Sequence, residues 1–498
     1  MAKFHKSLSR RDFMKALGFG AAGAGALAVT APAFVDLDDM MSSGEALDHS
    51  FKRAWYIKER PLGDPTTETD WSVVEGHENN YIMNSTNGNN YCFNEAERAE
   101  ISNKSNQATR SGIDQNYGGF QTRDYALAAS SGLPGPSEFQ WNLPESDIRW
   151  NTVAGLPKYE GTPEQNSKMI RAAATFLGAS SVGFAVLEGD EKKICNTVHS
   201  EGRPFVWEDT DWPYLDSQKI VIPNNRTLYA IGIGEEFSKE LFRHENGAYG
   251  AGQLRGSANG DRYRRWCIVM RALQTFLTYM GYIALGYPEY AARGLLPSGG
   301  DAILTGLCEG GRSSNNFISP EHGMAQGYFS LVTDMPLAPT APIDAGIFRF
   351  CHTCRKCAET CPSEAIGFDN EPTYDLFDPN IYQYNKNQPV RFLAPGKKRF
   401  KYDAYACRYQ ASITAGCCNC MGTCTFNVNN GAGIHGMVKG MLATTPLFNG
   451  FLWRADSFYG FGLTKDEDKA EWWDKSLPVS GIDSTITATD GAYRKRAY

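Results

Sequence analysis

From Cys351 to Pro362 the chain reads Cys351-His-Thr-Cys354-Arg-Lys-Cys357-Ala-Glu-Thr-Cys361-Pro362. Thiols spaced C-x2-C-x2-C-x3-C and closed by proline constrain the fold more than any other stretch. Three of them wrap one cubane iron–sulfur cluster, and the fourth is sent to a neighbouring cluster. A zinc site more often shows two separated C-x2-C pairs. A second, less regular set follows, with Cys407, Cys417, Cys420 and Cys424 spaced C-x9-C-x2-C-x3-C. By the cross-over rule one 4Fe–4S cluster takes Cys351, Cys354, Cys357 and Cys424, and the other takes Cys361, Cys407, Cys417 and Cys420. Cys418 sits beside Cys417 as a competitor and is otherwise spare. A single cluster with extra cysteines is the alternative that spacing leaves open.

Nine of the thirteen cysteines lie between Cys351 and Cys424. Thirteen cysteines in an exported chain would ordinarily suggest disulfides, and the chain does carry an export signal. Ser9-Arg10-Arg11-Asp12-Phe13 precedes a mildly apolar, Ala- and Gly-rich run, and small-residue cleavage sites follow at Ala26-Leu27-Ala28 and Ala31-Pro32-Ala33. This twin-arginine pattern over residues 1–33 implies export of a protein already folded in a reducing cytoplasm, with cofactors inserted. Clustered thiols and folded export therefore agree. The leader holds five Lys/Arg against one Asp, a net of +4, so its removal takes the charge from −7 to −11. An acidic mature chain argues against nucleic acid as a partner. No later segment reaches the ~18 apolar residues of a membrane span. The expected location is the outer face of the cytoplasmic membrane, peripherally attached.

Residues 34–160 are rich in Asn, Gly, Ser and Trp and read as an irregular region wrapping a core. A domain over 161–344 shows sharper patterning. Thr162-Pro163-Glu164 is a helix start, with Met169, Ile170, Ala173, Phe176 and Leu177 at helical spacing. Strands are expected at Val182–Leu187, Lys219–Pro223, Leu228–Ile233 and Tyr282–Leu285. A second helix is expected over Asp261–Met280, with Trp266, Met270, Leu273 and Leu277 on one side. Alternating helices and strands point to an α/β or α+β layered domain. The cysteine module occupies 345–430, and the aromatic tail 431–498 is expected to pack back on the core.

Four further segments carry a resemblance. They are Gly306-Leu307-Cys308-Glu309-Gly310-Gly311-Arg312, Ile318-Ser319-Pro320-Glu321-His322-Gly323, Thr333-Asp334-Met335-Pro336-Leu337 and Glu471-Trp472-Trp473-Asp474. With the leader and the double cysteine motif, they resemble in kind and order the catalytic subunit of corrinoid-dependent reductive dehalogenases, chloroethene-reducing members above all. The resemblance implies an α+β fold, with a nitroreductase-like corrinoid-binding core and a bacterial-ferredoxin-like module for two 4Fe–4S clusters. It implies a base-off corrinoid without a histidine ligand to cobalt. None of the eight histidines lies in an Asp-x-His-x-x-Gly pattern; His435, in Gly433-Ile434-His435-Gly436, lacks the aspartate.

The implied activity is respiratory removal of halogen from a small organohalide, a chlorinated ethene or ethane. Implied partners are a small integral-membrane anchor, an upstream electron donor and the twin-arginine export machinery. The family's acid is a tyrosine helped by a cation. Of Tyr263, Tyr279 and Tyr282, the first is favoured because it opens its helix among Arg262, Arg264 and Arg265. Arg312 is the expected charged residue near the cofactor, and Ser319, Glu321, His322 and Gly323 the expected lining of the corrinoid cavity. Rival readings are an exported iron–sulfur electron carrier without catalysis and an epoxyqueuosine-reductase-like enzyme, against which the leader and the acidity count.

Overall fold

The computed structural model describes residues 53–78, 93–125, 141, 158–244, 250, 252–288, 293–313, 317–375, 393–414, 416–427, 433–458, 462–464 and 466–474. The twin-arginine leader lies outside them. Helix α1 runs Glu95–Asp114, opened by a capping box between Asn94 and Glu97. Helix α2, Pro163–Phe176, starts where the sequence places it: Thr162 Oγ1 accepts from Gln165 N and Gln165 Oε1 accepts from Thr162 N. Two of the helix's otherwise orphaned amides are satisfied this way.

A four-stranded sheet forms the centre. Its strands are β1 (Ser181–Val186), β2 (Tyr229–Glu236), β3 (Ala284–Leu285) and β4 (Gln326–Thr333). Their order is β1-β2-β4-β3, antiparallel throughout, with Val182 opposite Ile233 and Ile233 opposite Phe329. Helix α3 (Gly252–Tyr279) lies across one face, and α4 (Ser298–Leu304) packs on β1, β2 and β4. An antiparallel sheet with helices packed on it makes the domain α+β.

Alternation along the strands separates two cores. Ile231, Ile233, Phe329 and Leu331 face Trp266, Met270, Leu273 and Leu277 of α3, all essentially free of solvent. Ala230 and Val332 face the opposite way, toward Phe205, Ile220, Ile222 and Leu296. Full burial of each large α3 side chain contributes roughly 1.5–3 kcal/mol. Trp266 stacks on Phe329 at 4.9 Å and 7°, so α3 and β4 are held in fixed register.

Three features go beyond the sequence reading or shift it. Strand β4, central to the sheet, was not foreseen, because Gln326, Ser330 and Thr333 interrupt its apolar pattern. The expected strand ending at Pro223 forms over Ile220–Pro223 and joins a separate three-stranded sheet, parallel to Phe205–Glu208 and antiparallel to Tyr214–Leu215. Helix α3 also begins at Gly252, whose positive φ of 69° suits glycine, rather than at Asp261.

The cysteine-bearing segment carries short helices: α5 (Ile347–Cys351), α6 (Lys356–Glu359), α7 (Ala404–Ile413) and α8 (Asn419–Gly422). Two more, α9 (Gly433–Thr444) and α10 (Asn449–Phe458), follow. Asp403 caps α7, accepting from Ala406 N at 2.8 Å, and α7 packs on α1. Trp472 and Trp473 lie against a core of Phe237, Phe242 and Leu254, and Trp473 Nε1 donates to Asp124 Oδ1 at 2.7 Å. Among the described residues no helix is long and apolar enough to cross a membrane.

Candidate active site and cysteine groups

Tyr263 stands on α3 where that helix crosses β4. Its ring meets Phe329 edge-on at 5.6 Å, and the Arg262 guanidinium lies 4.9 Å from the ring centre. Gly327 makes that approach possible: a Cβ there would sit 2.8 Å from Arg262 Cδ. Burial alone would raise the phenol's pKa. Arg262, Arg293 and a hydrogen bond to Arg262 outweigh it and hold Tyr263 below its ordinary value. The other two candidate tyrosines are placed differently. Tyr279 is exposed, and the Tyr282 hydroxyl donates to Tyr159 O at 2.8 Å. Arg293 was missed by sequence reading, since it lies thirty positions along the chain from Tyr263 and belongs to no motif.

Around the end of β2 lies a buried polar group. His322 Nδ1 is 3.3 Å from Glu236 Oε2, and Arg265 reaches both Asp261 and Glu235. Burial pushes Glu235 up to about 8, against the opposing pull of Arg265. Both ring nitrogens of His322, both carboxylate oxygens of Glu235 and the Gln326 amide oxygen make no hydrogen bond within the described chain. Ser319 Oγ donates to Glu321 Oε2 and accepts from the amides of Glu321 and His322. Gly323, at φ 64°, closes the turn where a Cβ would meet Phe426 backbone at 2.5 Å. Ser319, Glu321, His322 and Gly323 thus form one turn, and it delivers only His322 to Glu236.

Asp301, at the start of α4, is also buried, and burial pushes it up to about 8. Its Oδ2 makes no hydrogen bond within the described chain. A folded-state pKa above the unfolded one means the unfolded chain releases its proton first, so stability falls as pH rises from about 4 toward 8. Asp301→Asn removes that slope. The stability gap in its favour should widen by up to about 1.4 kcal/mol per pH unit across this window, read from denaturant melts at pH 5, 6.5 and 8.

The cysteines fall into two groups. Cys351, Cys354, Cys357 and Cys424 line one small cavity, closed by Ile318, Met324, Phe350 and Phe426. Cys361, Cys407 and Cys420 pack around Ile366 and Tyr402, where Cys357 of the first group also reaches, and Cys417 lies near Cys361. Burial pushes Cys351 up to about 12 and Cys407 up to about 11, with neighbouring thiols adding to both. Thiols crowded this way ionise only when a metal supplies compensating charge. Among the described residues no trio of His, Cys, Asp or Glu converges tightly enough for a single ion; the thiolates of a cubane stand at separate iron corners, further apart. All twelve described cysteines are free of disulfides.

The neighbouring pair Cys417 and Cys418 is placed differently. Cys418 points away from both groups, its Sγ 3.4 Å from Phe242 O and 3.6 Å from His244 O, in an apolar core with Leu241. Cys418→Ala should therefore keep the full iron content, whereas Cys417→Ala should lose part of it, as measured by iron and sulfide analysis.

The family model described as reductive dehalogenase subunit matches residues 52–337. The chain belongs to the reductive dehalogenase family. It is 28% identical to the chloroethene reductive dehalogenase of Dehalococcoides mccartyi (strain VS), over 97% of this chain and 99% of that one. Identity to the trichloroethene reductive dehalogenase of Dehalococcoides mccartyi (strain ATCC BAA-2266 / KCTC 15142 / 195) is 29%, with the same coverage. A solved catabolic reductive dehalogenase shares the fold at TM-score 0.56 and 18% identity, over 83% of this chain and 50% of that one. This chain thus spans about half the length of that structure.

Within this reductive dehalogenase, Arg312 departs from expectation. Rather than approaching Tyr263, its guanidinium is buried beneath the first cysteine loop and donates to the carbonyls of Cys351, His352, Cys354, Gly367 and Asp369. The sequence placed Arg312 near the cofactor, whereas here its guanidinium bonds backbone carbonyls of the cysteine segment.

Proposed function

We propose that this chain is the catalytic subunit of a respiratory reductive dehalogenase that removes halogen from a small organohalide, a chlorinated ethene first. The observation that carries the reading is Tyr263, a half-buried phenol edge-on to Phe329 and held below its ordinary pKa by Arg262 and Arg293. The match to named chloroethene and trichloroethene reductive dehalogenases over nearly the whole chain supports the substrate class. In the finer proposal, the α+β core is nitroreductase-like and binds a base-off corrinoid, and the cysteine segment is a ferredoxin-like module holding two 4Fe–4S clusters. Export by the twin-arginine route, the outer membrane face, a membrane anchor and an upstream electron donor complete it.

The residues present fit a corrinoid. Such a ring carries carboxamide arms, each with a donor and an acceptor. The unbonded polar atoms of His322, Glu235 and Gln326 are suitable partners, and they would hold it beside the Ser319–Gly323 turn. A B12-dependent dehalogenation is described for one solved reductive dehalogenase of the same fold (TM-score 0.53, 18% identity, 81% of this chain and 49% of that one). When bound, the corrinoid supplies low-valent cobalt for carbon–halogen reduction, and the clusters supply electrons one at a time.

The protein's own part is protonic and electrostatic. Two electrons and one proton turn R–X into R–H and halide. Tyr263 Oη holds that proton, and Arg262 and Arg293 stabilise the phenolate left after transfer. Phe329, itself stacked on Trp266, gives the ring of Tyr263 an apolar wall. The test is anaerobic cofactor analysis of the reconstituted protein, with halide release from trichloroethene. About eight irons and one cobalt per chain, with halide release, is the expected result. Eight irons with no cobalt after cobamide is offered would leave an electron carrier without catalysis.

A further inference from the structure

Helix α5 is gripped at both ends by one short stretch of sequence. Glu309 takes its start: Oε1 accepts from Ala345 N at 2.7 Å and from Ile347 N at 3.3 Å, and Oε2 accepts from Phe348 N at 3.3 Å and from Thr66 Oγ1 at 2.8 Å. Arg312 takes its end. Nε donates to Cys351 O (3.0 Å) and Cys354 O (2.7 Å), and Nη2 to Cys351 O (2.7 Å) and His352 O (3.1 Å). Nη1 ties in the following loop through Gly367 O (2.9 Å) and Asp369 O (2.6 Å). The guanidinium also lies over the Phe400 ring at 4.5 Å, and Arg312 is 1% exposed. A carboxylate at the amide end and a cation at the carbonyl end both follow the helix dipole.

The placement of the charge matters beyond packing. Arg312 lines the same cavity as Cys351, Cys354, Cys357 and Cys424. A cluster that accepts one electron gains one negative charge, so a fixed buried cation beside it favours the reduced form. In the other group Arg255 lies near Gly416 and Cys417.

We infer that Arg312 is a positioning residue that holds the loop of the cluster bound by Cys351, Cys354, Cys357 and Cys424 and raises that cluster's reduction potential. Glu309 anchors the opposite end of the same helix. The inference rests on the cluster reading above.

The test is an EPR-monitored redox titration of the anaerobically reconstituted protein with a low-potential chemical reductant, in wild type, Arg312→Gln and Arg312→Lys, with iron counted in each. In Arg312→Gln one midpoint should become more negative, by an amount equivalent to roughly tenfold weaker stabilisation of the reduced state, about 59 mV for one electron. The other midpoint should stay. The signal that moves should be the one lost in Cys424→Ser. Arg312→Lys should move the same midpoint in the same direction by less, and it decides the matter if the glutamine variant takes up no iron. Iron-loaded variants with both midpoints at their wild-type values overturn the inference. Wild type without cluster iron overturns the cluster reading itself, which is a different result.

Discussion

Tyr263→Phe should lower halide release by about 10²–10⁴-fold while iron, cobalt and melting behaviour stay at wild-type levels. Phenylalanine keeps the ring that meets Phe329 at 5.6 Å and removes only the hydroxyl, so a fall in rate reports the proton and not the packing. The pH profile makes the test sharper. The donor works only while protonated, so the rate should fall as pH rises through the phenol's lowered pKa. Arg293→Gln removes one of the two cations that depress it, and the alkaline limb should then move upward in pH. That shift is expected beside a loss of rate, because the phenolate left after transfer is less stabilised. A phenylalanine variant with wild-type turnover would exclude Tyr263 as the acid, and an unmoved alkaline limb in Arg293→Gln would exclude its electrostatic role.

Sequence made some of this legible and hid the rest for identifiable reasons. Helix α2 could be read because its N-cap threonine, first-turn proline and apolar stripe all agree. Strands β1 and β2 could be read because β-branched residues alternate along them. Strand β4 could not, since a central strand with Gln326 and Ser330 looks like loop until its partners are known. The same limit applied to the site. Tyr263 was selected for its neighbours on the same helix, and that local reasoning reached Arg262 but not Arg293, which arrives from the loop before α4. Arg312 was expected as the charged residue near the cofactor, and its sequence neighbours carry no sign of the backbone it meets. Only the three-dimensional arrangement shows that its partners are backbone carbonyls. For Cys418, spacing made it a competitor of Cys417, and only the fold shows its thiol turned toward Phe242 O and His244 O.

The second large effect concerns Cys424. It follows Cys420 by four positions, yet it lines the cavity of Cys351, Cys354 and Cys357, while Cys420 packs with Cys361 and Cys407. The two strands of sequence are therefore exchanged between groups, and the pattern of loss on mutation is specific. Cys424→Ser should reduce iron from about eight to about four per chain and abolish halide release, because electrons cannot cross a missing cluster. The surviving EPR signal should be the one removed by Cys407→Ser. Serine preserves size and some hydrogen bonding, so collapse of the fold is a poor explanation for a loss confined to one signal. If instead Cys424→Ser and Cys407→Ser extinguished the same signal, the exchange would be wrong, and the thiols would have to be regrouped by sequence proximity. Loss of both signals from either variant would point to one shared centre, the arrangement that cysteine spacing alone leaves open.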